Sequence, residues 1–544
     1  MRSAVIIGSG IAGMACAVRC AARGVHVTLV SPFPSERSQS VMAAGGINAV
    51  TADHEAGDSV AAHVEDTLRA GCLPGEREAV TGLCEHAEEI LRDLEKIGTV
   101  FSVDDRGRPI RRSFGGQRYK RTWYCGTSTG KQIVSALVME TRRFEASGLI
   151  TRRLWSCFHS ALLKDGVCHG VLLFDEATGG LEAVTADAVV IATGGQNALF
   201  GKTTGSTQCD GYAAGKLFLQ GAELKNLEFI QFHPTTLEAG RKHMLISEAA
   251  RGEGGRLFYE ENGKRVYFME ECFGPGGNLM TRDVISREMA AAGKPVFLDF
   301  SFLGEKKIDR LLPEIRQLCL TYGGLDPARV PIPVSPAPHF FMGGLAVKKN
   351  HETNLRNLFA VGECASIYHG ANRLGGNSLL AALYGGRVAA DEIAGRNAGA
   401  AAPDFTRLLE EERAALSQKL AAQSPFPAMY VRDMMADTMQ KSMGILRNET
   451  GLRKGLEDMD YYLSVADKIR YDSSVMPYFN YSLPAILALA RAALTCAGFR
   501  KESRGAHFRT DYPETDRAWA HATLISHDDG AYRVRLEKEA DHES

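Results

Sequence analysis

The chain has 544 residues, enough for two or three domains, and its 45% hydrophobic and 24% charged residues are ordinary for a globular protein. A formal net charge of −2 gives no basis for a nucleic-acid partner or for direct binding to an anionic membrane. The 12 cysteines form no C-x-x-C pair, so an iron–sulfur cluster, a zinc ribbon or a C-x-x-C-H haem site is not expected, and no metal is assigned.

Scattered thiols without a framework fit a reducing cytoplasm. The N-terminal apolar run, Ala4 to Ile7, is too short for a signal peptide and leads into a glycine loop. No apolar stretch reaches the ~20 residues needed to span a bilayer. Even Leu483 to Leu494 is short and contains Arg491. The expectation is a cytoplasmic protein, either free or held at the inner face of the membrane through a partner subunit.

In chain order, Ala4 to Ile7 reads as a buried strand. The turn Gly8-Ser9-Gly10-Ile11-Ala12-Gly13 follows, then a helix to Arg23 closed by Gly24, and a second strand from Val25 to Val30. G-x-G-x-x-G is weak alone and gains weight between a strand and a helix. Gly8 permits the tight turn, Gly10 admits a pyrophosphate to the backbone, and Gly13 lets the helix pack on the sheet. The helix N-terminus, opening at Ile11 and Ala12, favours phosphate charge. Hairpins are expected over residues 160 to 187, with Asp165-Gly166 as one turn. Ala188 to Ile191 is another buried strand, ending in Ala192-Thr193-Gly194-Gly195. From about 237 to 345 the chain reads as an inserted α+β unit. The strand pattern returns at Leu358 to Val361 and ends in Gly362-Glu363. Helical periodicity runs from Asp404 to about Gly498.

The fold class expected is α/β: a discontinuous Rossmann-like FAD-binding domain with an inserted α+β capping domain and a C-terminal helical domain. The limits read from the pattern are 1–236 and 346–400 for the FAD-binding domain, 237–345 for the cap, 401–500 for the helical domain and 501–544 for a tail segment. Ser31 ends the second strand where an acid commonly holds the ribose of NAD. Glu363, after the late strand, can accept ribose hydroxyls instead, and Thr193-Gly194 is a further nucleotide-type turn. Three separated segments converging on one long cofactor favour FAD over NAD.

Seven segments then resemble one family: Ser40 to Asn48, Phe229 to Thr235, Ser247 to Gly255, Arg282-Asp283, His339 to Gly344, His369 to Leu379 and Glu502 to His507. They are similar, in order, to motifs of the flavoprotein subunits of fumarate reductase and succinate dehydrogenase, with L-aspartate oxidase as a relative. The resemblance implies FAD contacts at Ser40, Ala44, Gly45, Gly46, Ala192, Asp210, Asn377, Ser378 and Leu379. It also implies a histidine bonded covalently to the flavin 8α-methyl. Gln39 stands at that place, and an amide cannot form the bond, so a dissociable FAD is expected. Losing the bond lowers the flavin potential, which favours reducing fumarate over oxidising succinate.

Reducing a carbon–carbon double bond needs a hydride at one carbon and a proton at the other, while charge builds towards a carboxylate. Fixed cations around that carboxylate stabilise it. The resemblance gives this role to His233, His339 and Arg373. It makes Arg282 the proton donor, Glu248 and Arg251 its relay, and places Thr235, Ser247 and Phe114 at the substrate. Arginine is in general a poor acid, with a pKa above ~12, but the incipient carbanion is far more basic. L-Aspartate oxidase has a Glu where Phe114 stands, able to hold an ammonium; Phe114 favours fumarate over aspartate.

Three departures bear on the pocket. Thr236 replaces a usual Gly, Phe340-Phe341 replaces Tyr followed by Thr or Asn, and Tyr124 to Ser128 departs from the usual run, with Cys125 foremost. They leave open a related, acrylate-type enoate with one carboxylate. Succinate dehydrogenation and a non-catalytic role in FAD-based electron transfer are the other readings. Gln39 argues against the first; Arg282, Glu248, Arg251, His233 and His339 argue against the second. The chain carries no second redox centre, so electrons come from an iron–sulfur subunit or a small soluble donor. Glu502 to His507 resembles the family segment near the iron–sulfur partner.

Overall fold

The computed structural model describes residues 2–73, 76–126, 128–240, 242–398, 402–421, 426–470 and 481–538. At its centre lies a parallel sheet of five strands in the order Leu358–Ala360, Ala188–Ile191, Ser3–Ile7, His26–Ser31 and Ile150–Leu154. Parallel strands covered on both faces read as unbroken apolar runs, as Ala4 to Ile7 and Ala188 to Ile191 do. Alternation then splits each run between two cores. Val5, Ile7, Val189 and Ile191 enter one core, and Ala4, Ile6, Ala188 and Val190 enter the other.

The second core is built with helices Ile11–Ala22, Thr129–Ala146 and Asn377–Gly395. On the first face lie an antiparallel sheet, Ser156–Lys164, Val167–Asp175 and Leu181–Thr185, and the buried helix Leu483–Phe499. The hairpin turn falls on Asp165 and Gly166, with φ of 51° and 72°, matching the primed turn that suits strand twist. Leu483–Phe499 is apolar nearly all round because other elements surround it, not because it enters a membrane. Among the described residues no helix is long and apolar enough to cross one.

A six-stranded antiparallel sheet carries the inserted region, in the order Lys242–Leu245, Ile230–Ala239, Ile332–Phe341, Val296–Asp299, Arg256–Glu261 and Lys264–Val266. Its own core holds Leu237, Leu257, Leu298, Ile332 and Val334. The strands Ile230–Ala239 and Ile332–Phe341 run on beyond it, with Ile230, Phe232 and Phe341 packed in the core beside the parallel sheet. This strand pair is the strut between the two units.

The helices Thr406–Ala421, Ala428–Ser442, Glu449–Val465 and Leu483–Phe499 occupy the region of helical periodicity. The chain then returns as a hairpin, Thr523–Asp528 and Ala531–Leu536, which extends a sheet containing Leu224–Lys225, Gly344–Ala346 and Ala365–Ser366. The tail segment read over residues 501–544 thus contains a hairpin whose turn falls on Asp529 and Gly530, with φ of 46° and 79°.

Candidate active site

A cavity of about 620 Å³ crosses the C-terminal edge of the parallel sheet, the usual place for a ligand in an open α/β fold. Gly8, Gly10, Ile11, Ala12, Ser31, Ser40, Ala44, Gly45, Gly46, Ala192, Thr193, Gly194, Asp210, Glu363, Ser378 and Leu379 line it, so most of the cofactor residues expected from sequence converge. Gly8 has φ +111°, and a Cβ there would lie 2.3 Å from Ala192 O. The N–H of Ile11 donates to Ser40 Oγ at 3.1 Å, tying the first turn of the helix to the loop after it.

Two of the expected cofactor residues, Gly13 and Asn377, do not line the cavity. Gly13 lies behind the wall, where a Cβ would sit 1.9 Å from Gly8 O; it serves helix packing, not the ligand. Asn377 is fully buried with its side chain turned away. Its Oδ1 accepts from Asn48 Nδ2 at 2.7 Å, and its Nδ2 donates to Thr67 Oγ1 at 2.9 Å.

The residues fit FAD. Two helix N-termini, at Ile11 and Asn377, open towards the cavity, and the backbone between Gly8 and Ala12 leaves room for a pyrophosphate. Glu363 is aimed at the wall; its Oε1 accepts the N–H of Phe341 at 3.0 Å. Burial lifts its pKa to about 7 against the pull of that bond and of Arg373. Gln39 also lines the cavity, and its Oε1 accepts the N–H of Ser206 at 2.7 Å.

One end of the cavity gathers the catalytic candidates. Arg282 opens the helix Arg282–Ala292. Its Nε and Nη2 donate to Glu248 Oε2 at 3.1 and 3.0 Å, and its Nη1 donates to Gln231 Oε1 at 3.0 Å. Arg373 Nη2 donates to the same oxygen at 3.1 Å. Gln231 thus fixes both guanidinium groups, a role that sequence reading missed although Gln231 stands two residues before His233 on one strand. Arg373 also lies 4.3 Å over the ring of Phe340, and its buried Nε has no hydrogen-bond partner among the described residues. A donor left in that state fits a ligand carboxylate.

His233 and His339 face each other with ring centroids 5.2 Å apart. The strand pair explains this. Gln231 pairs with Phe340 and Phe232 with Pro338, so His339 is the extra residue of a bulge, re-aimed towards its partner strand. Thr204 Oγ1 meets His339 Nδ1 at 2.8 Å. Burial, then the charge of Arg282, holds both imidazoles well below their ordinary pKa, so both are neutral at pH 7. Arg373 is pushed down to about 9 by burial and by Arg282, and stays a cation there.

Glu248 caps the short helix Ala249–Gly252. Burial would raise its pKa, but Arg282 and Arg251 outweigh that and hold it below the usual range. Its Oε1 accepts the N–H of Gly115 at 2.7 Å and lies 3.6 Å from Arg251 Nη2. Arg251 is buried and stands behind Glu248, off the wall, with Nη1 donating to Asn278 O at 2.7 Å. Ser247 and Phe114 line the cavity as expected.

Thr235 does not line the wall. A second bulge between His233 and Thr236 turns it inward, and its Oγ1 donates to Ile246 O at 2.9 Å. The departures Thr236, Phe341 and Cys125 also stand off the wall. Thr236 Oγ1 donates to Ser335 O at 2.6 Å, Phe341 packs on Phe200, and the Cys125 N–H donates to Thr129 Oγ1. Phe340, beside Phe341, is the aromatic that reaches the cavity. Thr127 lies outside the described residues.

Comparison with known proteins agrees with this geometry. Residues 3–379 match the family model for an FAD binding domain, and residues 432–542 match that for the fumarate reductase flavoprotein C-terminus. The succinate dehydrogenase flavoprotein subunit of Bacillus subtilis is 34% identical, over 96% of this chain and 94% of that protein. The 8-methylmenaquinol:fumarate reductase flavoprotein subunit of Wolinella succinogenes is 34% identical, over 94% of this chain and 86% of that protein. A quinol fumarate reductase flavoprotein structure from Escherichia coli superposes with a TM-score of 0.90 at 30% identity, covering 99% of this chain and 97% of that one. The chain belongs to the flavoprotein subunits of fumarate reductase and succinate dehydrogenase, FAD-dependent oxidoreductases acting on CH–CH bonds.

Proposed function

We propose that the chain works as a reductase, turning fumarate into succinate. The observation that supports this is the convergence of Arg282, Arg373, His233 and His339 on one end of the cavity, with Arg373 Nε unpartnered there among the described residues. Arg373 grips one carboxylate, and the neutral imidazoles donate N–H groups where charge develops. FAD held in the cavity and reduced by an external donor would supply the hydride equivalent for one alkene carbon. Arg282 delivers a guanidinium proton to the other carbon. Glu248, ionised and 3.0 Å from Arg282 Nη2, then relays a proton from Arg251 back to Arg282, and the proton that Arg251 gives up is replaced from solvent. Ser247 lies beside Glu248 at the wall, placed for a second carboxylate. In this reading the cap is residues 237–345, folded over the FAD-binding domain formed by 1–236 and 346–400.

The direction rests on Gln39, whose amide is no nucleophile towards the flavin. Acid precipitation of the holoprotein is expected to release all yellow colour into the supernatant; flavin retained in the pellet would contradict a dissociable cofactor. Phe340 favours a second substrate reading, because it sets a ring without a hydroxyl on the wall. Reduced viologen oxidation separates the two. Fumarate is expected to give the highest kcat/KM among fumarate, mesaconate, acrylates and urocanate. A monocarboxylate in first place would replace fumarate with an acrylate-type substrate. No turnover with any of them would remove the reductase assignment.

The relatives' names describe subunits. An iron–sulfur subunit docking near Glu502 to His507 is the donor that the family likeness favours, and a small soluble reductant is the alternative.

A further inference from the structure

Thr236 stands where the family usually has Gly, and its hydroxyl holds a residue that a glycine would leave loose. The strand Lys242–Leu245 is an edge of the six-stranded sheet; along it Thr236 pairs with Leu245 and Glu238 with His243. Residues two apart on a strand share a face, so Thr236 and His243 project to the same side. Thr236 Oγ1 lies 2.8 Å from His243 Nδ1. The hydroxyl has a single proton, and gives it to Ser335 O at 2.6 Å. Thr236 Oγ1 must therefore accept from the imidazole, which places the ring proton on Nδ1.

A neutral imidazole with its proton on Nδ1 carries a lone pair on Nε2. Burial holds His243 below its ordinary pKa, against the pull of Glu238, so the ring is neutral at pH 7. His243 is buried but lines the cavity, and its Nε2 has no hydrogen-bond partner among the described residues. Its backbone N–H donates to Thr203 O at 3.3 Å, one residue before the Thr204 that meets His339. The ring therefore stands at the catalytic end.

That end is rich in donors. Arg282 and Arg373 bring guanidinium groups, and both oxygens of Glu248 are taken, by Arg282 and by the N–H of Gly115. Fumarate, with two carboxylates, has no donor to offer an acceptor. We propose that His243 is a specificity residue whose Nε2 accepts a hydrogen bond from substrate, so that the site also takes monocarboxylate enoates bearing a hydroxyl or N–H group beyond the double bond. Arg373 holds the single carboxylate, and the proposal rests on the reductase reading. Thr236 is the positioning residue that fixes the tautomer.

The test follows reduced-viologen oxidation with two matched pairs: γ-hydroxycrotonate against its methyl ether, and para-hydroxycinnamate against its methyl ether. In at least one pair the free hydroxyl is expected to raise kcat/KM about tenfold over the ether, the scale of one hydrogen bond. His243→Phe keeps a ring, removes the lone pair and should abolish that preference. Thr236→Val should abolish it with the imidazole still in place, because Nε2 can then take the ring proton, whereas Thr236→Ser should preserve it. Equal rates for hydroxyl and ether in both pairs would overturn the proposal, as would a preference that survives His243→Phe or Thr236→Val, or reduction of fumarate alone. No turnover of fumarate or of any enoate would instead remove the reductase reading, and this proposal with it.

Discussion

Arg282→Ala is expected to lower fumarate turnover by ~10²–10⁴-fold, the usual contribution of a positioned acid, while the flavin absorbance of the purified protein stays that of wild type. Arg282 touches Glu248 and Gln231 and none of the residues at the Gly8 turn, so its loss should spare FAD binding. Glu248 would then be left buried beside Arg251 alone, and some thermal stability should be lost with it. Arg282→Lys keeps a charge but not the forked geometry that engages Glu248 and Gln231 together, so it should recover only a small part of the rate. Near-normal turnover in the alanine variant, with viologen as donor, would end the proton-donor assignment.

Arg373→Ala is expected to cut kcat/KM for fumarate by ~10²–10³-fold, matching the loss of one preorganised charge-stabilising group, ~2.7–4 kcal/mol. Both KM and kcat should suffer, because a carboxylate grip acts on the ground state and on the developing charge. Arg373 pulls down the pKa of Glu363, so its removal should raise that pKa beyond about 7. Arg373→Lys should not rescue the variant, since an ammonium on a flexible stem lacks the planar fork that bonds Gln231 and reaches substrate at once. A variant with unchanged KM would place the carboxylate elsewhere.

Much of this was written in the sequence at short range. The turn from Gly8 to Gly13, the strand pairs around it and the hairpin at Asp165-Gly166 follow from local rules of periodicity and turn chemistry. His233, Glu248, Arg282, His339 and Arg373, marked by the family motifs, line one cavity. What stayed hidden depends on contacts between distant segments. Gln231 earns its role only when two arginines, at positions 282 and 373, reach one oxygen. Thr235 turns from the cavity because a bulge, not simple alternation, sets its direction. The side chain of Asn377 turns from the cavity because its amide answers Asn48 and Thr67, hundreds of residues earlier in the chain.

The paired strands Ile230–Ala239 and Ile332–Phe341 are irregular at just two places, and His233 and His339 stand at those irregularities. A ribbon bends most easily where its ladder is interrupted. Any tilt of the inserted unit therefore pivots about the imidazoles, and a point at a pivot travels least.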